Sequence, residues 1–152
     1  VKAPVVMYTL VTPQKTEYPV LLQIWESSVR ATHHFLQEED IEFFRKTITE
    51  NHLFDLVSLT IVKDSGNNIL GFMGIAGNNL EMIFLDHAVR GKGIGKLLLL
   101  HALGNLNVTK VDVNEQNEQA CKFYEHFGFK VISRSALDGS GKPYPILHMQ
   151  LM

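Results

Sequence analysis

Cysteine is almost absent from this chain of 152 residues, which contains only Cys121. A single cysteine excludes an internal disulfide and any zinc site built from several thiolates. We expect Cys121 to be a small apolar residue within a helix. His33, Glu81 and Asp112 have no fixed metal-ligand spacing either, so we predict no bound metal.

Long hydrophobic runs are missing as well. No apolar stretch approaches the roughly 20 residues that a membrane-spanning helix needs. Residues 1–4 lack the charged-then-apolar layout of a signal peptide. We therefore expect a cytoplasmic protein with no membrane contact.

Neither sign of charge is in large excess, because 14 Lys and Arg residues stand against 16 Asp and Glu residues, a net charge of −2. Such a chain has no overall positive field for a nucleic-acid backbone, and we expect no nucleic-acid partner. Hydrophobic residues make up 45% and charged residues 20%. This composition and length predict one folded domain over residues 1–152.

The hydrophobic pattern predicts four helices and seven strands, with an antiparallel meander in the middle of the chain. Helices are expected from Pro19 to about His33, from a cap at Asp40 to about Asn51, from about Lys92 to a stop at Gly104, and from Glu118 to Phe127. Strands are expected over Val5–Val11, Leu56–Val62, Ile69–Ala76, Leu80–Leu85, Val108–Val113, Phe129–Ser135 and Ile146–Leu151.

The resulting element order is β-α-α-β-β-β-α-β-α-β-β. The helix between the fourth and fifth strands permits those two strands to pair in parallel. We therefore predict an α+β fold with a central mixed, mostly antiparallel sheet and helices on both faces.

A glycine-rich turn connects the fourth strand to the third helix, with the sequence Arg90-Gly91-Lys92-Gly93-Ile94-Gly95-Lys96. Three alternate glycines have no Cβ and permit positive φ, so backbone N–H groups can converge on one point. The start of the helix adds unpaired N–H groups and a partial positive charge. Together these features predict a pyrophosphate-binding turn.

Two other nucleotide-binding patterns do not fit this turn. A Walker A loop would need glycine at Arg90 and Ser or Thr at Leu97. The dinucleotide fingerprint would need glycine at Lys96 and a parallel βαβ start. The pattern that remains is Arg-x-x-Gly-x-Gly between a strand and a helix.

This turn resembles the coenzyme A pyrophosphate loop of the GCN5-related N-acetyltransferases (GNAT superfamily). The segment Asn117–Phe129 resembles that family's Asn-x-x-Ala-x-x-x-Tyr-x-x-x-Gly-Phe motif, and it follows in the expected order. Three further stretches resemble the YjaB-type acetyltransferases within the family, namely Ala31–Leu36, Val113–Ala120 and Gly141–Pro145. The resemblance covers essentially the whole chain and implies the GNAT fold, with acetyl-CoA as the acetyl donor.

The resemblance also implies roles for individual residues. The backbone of Ile83, Phe84 and Leu85 would bind the pantetheine arm as an added strand does. The pyrophosphate would be held by Arg90, Gly91, Lys92, Gly93, Ile94, Gly95 and Lys96. Asn117 would hydrogen-bond coenzyme A, although Asn before a helix is also a favoured cap.

Tyr124 is the expected catalytic acid, which would protonate the departing thiolate. A plain structural role also remains open, because Phe123, Phe127 and Phe129 lie close to it in sequence. The general base is less defined: His33, Glu81 and Asp112 are candidates, and ordered water is another. Simple alternation places Glu81 on the same strand face as Ile83.

The expected reaction is the acetylation of an amine by direct attack on the thioester. The acceptor site would be formed by the first two helices, the loop between them and the loop from Asp138 to Tyr144. A small-molecule amine and a protein amine both remain open as acceptors, as do a monomer and a homodimer. The alternatives are an enzyme for another acyl donor and a non-catalytic acyl-CoA sensor.

Overall fold

The computed structural model describes residues 7–152. Its seven strands form one mixed sheet in the order β1-β2-β3-β4-β5-β7-β6. The strands are β1 (Thr9–Val11), β2 (Ser58–Lys63), β3 (Ile69–Ala76), β4 (Asn79–Leu85), β5 (Lys110–Asn114), β6 (Phe129–Ser135) and β7 (Ile146–Leu151). The helices are α1 (Tyr18–Thr32), α2 (Glu38–Glu50), α3 (Ile94–Asn105) and α4 (Glu118–His126). No helix within residues 7–152 combines the length and hydrophobicity needed to span a bilayer.

The predicted element order is confirmed, and β3, β6 and β7 have the expected bounds. The expected first strand is found only over Thr9–Val11, and Val5 and Val6 lie outside the described residues. The second strand begins later than expected because Leu53–Leu56 form a 3₁₀ turn.

Two apolar cores lie on opposite faces of the sheet. One contains buried side chains of α1, α2 and the adjoining strand face: Leu21, Ile24, Trp25, Val29, Ile41, Phe54, Leu59, Ile61 and Phe72. The other packs α3 and α4 against residues such as Val62, Met73, Leu80 and Met149. Neighbouring positions on a strand, such as Phe72 and Met73, therefore belong to different cores. Helices on both faces are confirmed.

The parallel pairing of β4 with β5 is confirmed, but it is short. The two strands pair only at Asn79 with Lys110 and at Leu80 with Val111. The remainder of β4 pairs with β3 on its other side, up to Gly71 with Leu85. Within residues 7–152, the backbone of β4 from Glu81 onward therefore has no strand partner on the β5 side, and a gap opens in the sheet there.

Several helix boundaries differ from the predictions: α3 starts at Ile94 and not near Lys92, α4 ends at His126 and not at Phe127, and the start of α2 and the end of α3 differ as well. Asp40 does not cap α2, which starts at Glu38 after Gln37, because three acidic residues in the first turn suit the positive end of the helix. Gly104 does not stop α3, which continues to Asn105. Burial of Leu98, Leu99 and Ala102 holds that helix together, and this outweighs the roughly 1 kcal/mol cost of a helical glycine.

The expected position of Glu81 was wrong, because β4 contains a bulge. Gly74 pairs with Met82 and Ile75 pairs with Leu80, which leaves Glu81 as the extra residue. A bulge shifts the alternation of side chains by one position. Glu81 consequently lies with Met82 on the α1–α2 side of the sheet, whereas Ile83 packs in the opposite core.

Candidate active site

A cavity of about 330 Å³ lies beside the end of β4, where β4 has separated from β5, and we call it the splay cavity. Its walls come from α1, the end of β4, the glycine-rich turn, the start of α3 and the start of α4. The lining residues are Ser28, Thr32, His33, Ile83, Phe84, Leu85, Arg90, Gly91, Gly93, Ile94, Gly95, Lys96, Asn117, Gln119, Ala120, Phe123 and Tyr124. The cavity is therefore lined by Tyr124 and by all the residues predicted to bind the donor except Lys92.

The glycine-rich turn presents backbone N–H groups to this cavity. Gly91 and Gly93 both have φ of +79°, a left-handed conformation that side chains disfavour. Gly93 caps α3 without any side-chain acceptor, and the Leu97 N–H is bonded to the Gly93 carbonyl at 3.0 Å. The N–H groups of Ile94 and the two residues after it precede that bond, so they remain available to an anion.

Gly95 differs from the other two glycines, because it lies within α3 and does not have positive φ. An added Cβ there would approach Leu85 Cδ1 at 3.6 Å and Phe123 Cζ at 3.8 Å. The expectation of positive φ therefore holds for Gly91 and Gly93 only. The absence of a side chain at Gly95 leaves room where the helix start meets the cavity.

Asn117 acts as the cap of α4. Its side-chain oxygen accepts a hydrogen bond from the Ala120 N–H at 3.3 Å, and its side chain also lines the splay cavity. Of the two roles considered for Asn117, the structure therefore shows the helix cap. Its amide NH₂ group is the part that a ligand could use.

Tyr124 lies on the inner face of α4 and is 3% exposed. Its ring packs edge-on against Phe123 and Phe129, so it also contributes to the core. Burial, with a smaller effect of Cys121, raises the pKa of the phenol well above its ordinary range. The hydroxyl is therefore neutral and carries its hydrogen at the wall of the cavity that it lines.

A second cavity of about 280 Å³ lies on the other side of β4, and we call it the aromatic cavity. It is bordered by α1, α2, β4 and the loop of residues 136–145. The lining residues are Trp25, Val29, His33, Leu36, Phe44, Thr47, Ile48, Leu53, Phe54, Glu81, Met82, Phe84, Asn114, Asp138, Gly139, Ser140, Tyr144 and Ile146. Glu81 and Asp138 are its acidic residues.

The loop of residues 136–145 is attached to α2 at Asp40. The Tyr144 hydroxyl donates to one carboxylate oxygen of Asp40, and Lys142 Nζ lies 2.9 Å from the other. These partners, the Tyr144 hydrogen bond first, lower the pKa of Asp40. Tyr144 also packs against Phe35 and Phe44, with ring centroids 5.9 Å and 6.4 Å away. The loop is therefore a fixed wall of the aromatic cavity.

Two residues, His33 and Phe84, line both cavities. His33 follows α1, is 8% exposed and has Nδ1 at 2.7 Å from Thr32 Oγ1. Burial, with a smaller effect of His34, lowers the pKa of His33 to about 4. His33 is therefore a neutral imidazole at pH 7 on the boundary between the two spaces.

Asp112 lies outside both cavities and has its own partners. Its carboxylate contacts His148 Nδ1 at 2.7 Å and Asn79 Nδ2 at 3.1 Å, while His148 Nε2 contacts Ser135 Oγ at 2.7 Å. This chain of hydrogen-bonded side chains across β5, β7 and β6 was not predicted from the sequence. The only sign of it in the sequence is the alternation of polar residues along these strands.

Ser28 and Thr32 are further wall residues that the sequence analysis missed. They continue the helical stripe of Leu21 and Trp25, where apolar residues are expected. Small polar residues on a buried helix face were the available indication.

Between residues 7 and 152, no cluster of three or more His, Cys, Asp or Glu side chains could hold a metal ion. Cys121 is buried next to Tyr124.

Comparison with known proteins agrees with this geometry. A family model described as an acetyltransferase (GNAT) domain matches residues 27–144. The chain is 40% identical over 131 residues to peptidyl-lysine N-acetyltransferase YjaB from Salmonella typhimurium, covering 85% of this chain and 88% of that protein. It superposes on the solution structure of apo YjaB from Escherichia coli with a TM-score of 0.82 at 35% identity, covering 96% and 98% of the two chains.

A more distant structure was determined with a ligand. The PaiA N-acetyltransferase from Thermoplasma acidophilum, in complex with coenzyme A, matches with a TM-score of 0.70 at 20% identity. The match covers 96% of this chain and 99% of that one. At this identity the likeness shows the shared fold alone.

Proposed function

Because this chain belongs to the GNAT acetyltransferase family, we propose that it transfers the acetyl group of acetyl-CoA to the ε-amine of a lysine residue on a protein. The chain is an acyltransferase, and its family uses acetyl-CoA. The lysine acceptor is the finer part of the proposal. It is supported by the names of the relatives, which are peptidyl-lysine acetyltransferases.

The splay cavity has the features that the donor needs. The start of α3 and the turn at Gly91 and Gly93 offer free N–H groups for the pyrophosphate. The unpaired edge of β4 at Ile83–Leu85 offers backbone groups to the amides of the pantetheine arm. Asn117 and Arg90 supply further hydrogen-bond donors at the rim of the same space.

The aromatic cavity fits the acceptor. A lysine side chain is a flexible aliphatic stem that ends in a cation, so it prefers apolar walls with acidic groups nearby. Trp25, Phe44 and Phe84 supply such walls, and Glu81 and Asp138 supply negative charge. Phe84 and His33 line both cavities, so an amine in this cavity lies across these two residues from the donor.

The chemistry follows from this arrangement. The lysine ammonium first loses a proton to solvent. The neutral amine nitrogen then attacks the thioester carbonyl and forms the N–C bond, which gives a tetrahedral intermediate. The nitrogen then loses a proton, the C–S bond breaks, and the thiolate takes the proton of the Tyr124 hydroxyl. Tyr124 afterwards regains a proton from solvent, and the products are the acetyl-lysine and coenzyme A.

The observation that carries the proposal is the single cavity that joins the start of α3, the free edge of β4 and Tyr124. Calorimetry with acetyl-CoA tests donor binding, and a free-thiol assay with lysine-containing peptides and a panel of small amines tests transfer. We expect peptide acetylation and saturable thiol release, with kcat about 100-fold lower in Tyr124→Phe. Tyr8→Phe, at a partly buried tyrosine of the same core, is the matched control.

The same experiment distinguishes the alternatives. Tight binding of acetyl-CoA without thiol release from any amine, and no rate effect of Tyr124→Phe, would indicate an acyl-CoA sensor. Acetylation of small amines but of no peptide would overturn the lysine acceptor and keep the acetyltransferase.

A further inference from the structure

We propose that His33 is the general base of the transfer, and that its Nε2 atom takes the proton from the attacking amine nitrogen. This assignment rests on the proposed function and goes beyond it, because it selects one group among three candidates and water. It follows from where the ring lies, which ring nitrogen carries hydrogen, and what the other candidates contact.

The tautomer of His33 is determined by a short chain of hydrogen bonds at the end of α1. The Thr32 hydroxyl donates its single hydrogen to the Ser28 carbonyl at 2.7 Å. Thr32 Oγ1 also lies 2.7 Å from His33 Nδ1, so it has only a lone pair to offer there. Nδ1 must therefore carry the hydrogen and donate it, which leaves Nε2 of the neutral ring with an unprotonated lone pair.

That lone pair has access to a cavity. Among residues 7–152, no buried side-chain nitrogen or oxygen lacks a hydrogen-bond partner. His33 bonds through Nδ1, and no described residue bonds its Nε2. Nε2 must consequently be accessible, and a residue that is 8% exposed and lines both cavities presents it to the space between donor and acceptor.

The other two candidates are placed less well. Asp112 is bonded to His148 and Asn79 and lines neither cavity. Glu81 lines the aromatic cavity only, so it is separated from the thioester by the Phe84 wall. Its carboxylate is suited to attracting the lysine ammonium, and not to the step at the thioester carbon.

The proton transfer is balanced as follows. Formation of the N–C bond places a positive charge on the amine nitrogen and a negative charge on the former carbonyl oxygen. His33 Nε2 accepts one N–H proton, and the sulfur receives a proton from Tyr124 as the C–S bond breaks. Burial of the ring disfavours imidazolium in the resting enzyme, but the new oxyanion favours it while the intermediate exists. His33 then releases its proton to solvent.

Steady-state kinetics with acetyl-CoA and a lysine peptide test the assignment. We expect His33→Gln to lower kcat about 100-fold or more, with the KM for acetyl-CoA nearly unchanged. His33→Ala should be equally slow, and added imidazole should restore part of its rate. The control is His34→Ala, which removes the exposed neighbouring histidine and should leave kcat within about threefold of the wild type.

Two further measurements keep the test decisive if a variant folds poorly. Thr32→Val keeps the shape of the side chain, removes the acceptor of the Nδ1 hydrogen, and should lower kcat about 10-fold. Nitrogen NMR shifts of the wild-type protein should show His33 as the Nδ1–H tautomer. An Nε2–H tautomer, or a kcat of His33→Gln within about threefold of wild type, would overturn the assignment. Absence of thiol release from the wild type would instead overturn the proposed function.

Discussion

Arg90 and Gln119 connect the two sequence motifs across the rim of the splay cavity. Arg90 Nη2 donates to Gln119 Oε1 at 2.5 Å, and the two residues are separated by 29 positions in the chain. Arg90 is the first residue of the glycine-rich turn, and Gln119 lies in the first turn of α4. Because one guanidinium edge is held by Gln119, its other N–H groups stay oriented and available to an anion.

Loss of this contact should weaken donor binding. In Gln119→Ala the guanidinium of Arg90 is no longer held in place. Binding of coenzyme A must then order this group, which costs conformational entropy. We expect the Kd for coenzyme A to rise about threefold to tenfold, which corresponds to about 1 kcal/mol. Isothermal titration calorimetry with coenzyme A measures this Kd in the wild type and the variant.

Gln116→Ala is the matched control for that measurement. Gln116 is an exposed residue of the turn before α4 and is not in the cavity wall. Equal affinities of the two variants would show that the Arg90–Gln119 contact does not prepare the site.

Local sequence pattern predicted the elements well, and it predicted the donor side of the site. The order of strands and helices follows from apolar periodicity, and the bounds of β3, β6 and β7 follow from clear flanking turns. The residues expected around the donor come together because they belong to two short motifs whose local structures, a glycine turn and a capped helix, depend mainly on neighbouring residues.

The acceptor side could not be predicted in the same way. Glu81 changes face because of a bulge that depends on how β4 pairs with β3. Gly74 permits that pairing, since a Cβ there would come within 2.8 Å of Met82 Cγ and Val57 Cγ2. Asp40 suggested a helix cap by type, but its partners Lys142 and Tyr144 lie about 100 positions away along the chain. Such long-range contacts leave no local pattern.

Gly93 and Gly104 should respond in opposite ways to substitution by alanine. Gly93 has φ of +79°, so alanine there is strained and should lower the free energy of unfolding by about 1–2 kcal/mol. Gly104 lies in α3 with open space around it, so alanine there should raise stability by about 0.5–1 kcal/mol. Urea unfolding followed by circular dichroism measures both changes.

Binding measurements separate strain from function for the same pair. Gly93→Ala should also weaken acetyl-CoA binding, because the turn that presents the N–H groups of α3 is displaced. Gly104→Ala should bind as the wild type does, since it lies at the far end of α3. An unchanged affinity in Gly93→Ala would argue against the pyrophosphate position at this turn.

Asp112 should matter for stability and not for the rate. Its carboxylate joins Asn79 of β4 to His148 of β7, next to the short parallel pairing. Asp112→Ala removes both hydrogen bonds, and we expect a loss of about 1–2 kcal/mol in the free energy of unfolding. The kcat at a temperature well below the transition should stay within about twofold of the wild type. A large fall in kcat with unchanged stability would contradict the position that the structure assigns to Asp112.

Burial of His33 should make stability depend on pH in a defined window. The pKa of His33 falls from its ordinary 6.5 to about 4 in the folded protein, with burial as the main cause. Between those values the unfolded chain binds a proton that the folded protein does not, so stability rises with pH across this range. The contribution of His33 is fully present above pH 6.5 and is lost as the pH falls toward 4, by about 3 kcal/mol.

The difference between the wild type and His33→Gln isolates this contribution. Glutamine does not titrate, so the variant should lose less stability than the wild type between pH 6.5 and 4, measured by urea unfolding at each pH. The difference should persist at high salt, because it arises from burial of the ring and not from screened surface charge. Parallel pH profiles for the two proteins would mean that His33 binds protons equally in both states. The ring would then be as accessible to water in the folded protein as in the unfolded chain, which would contradict its burial between the two cavities.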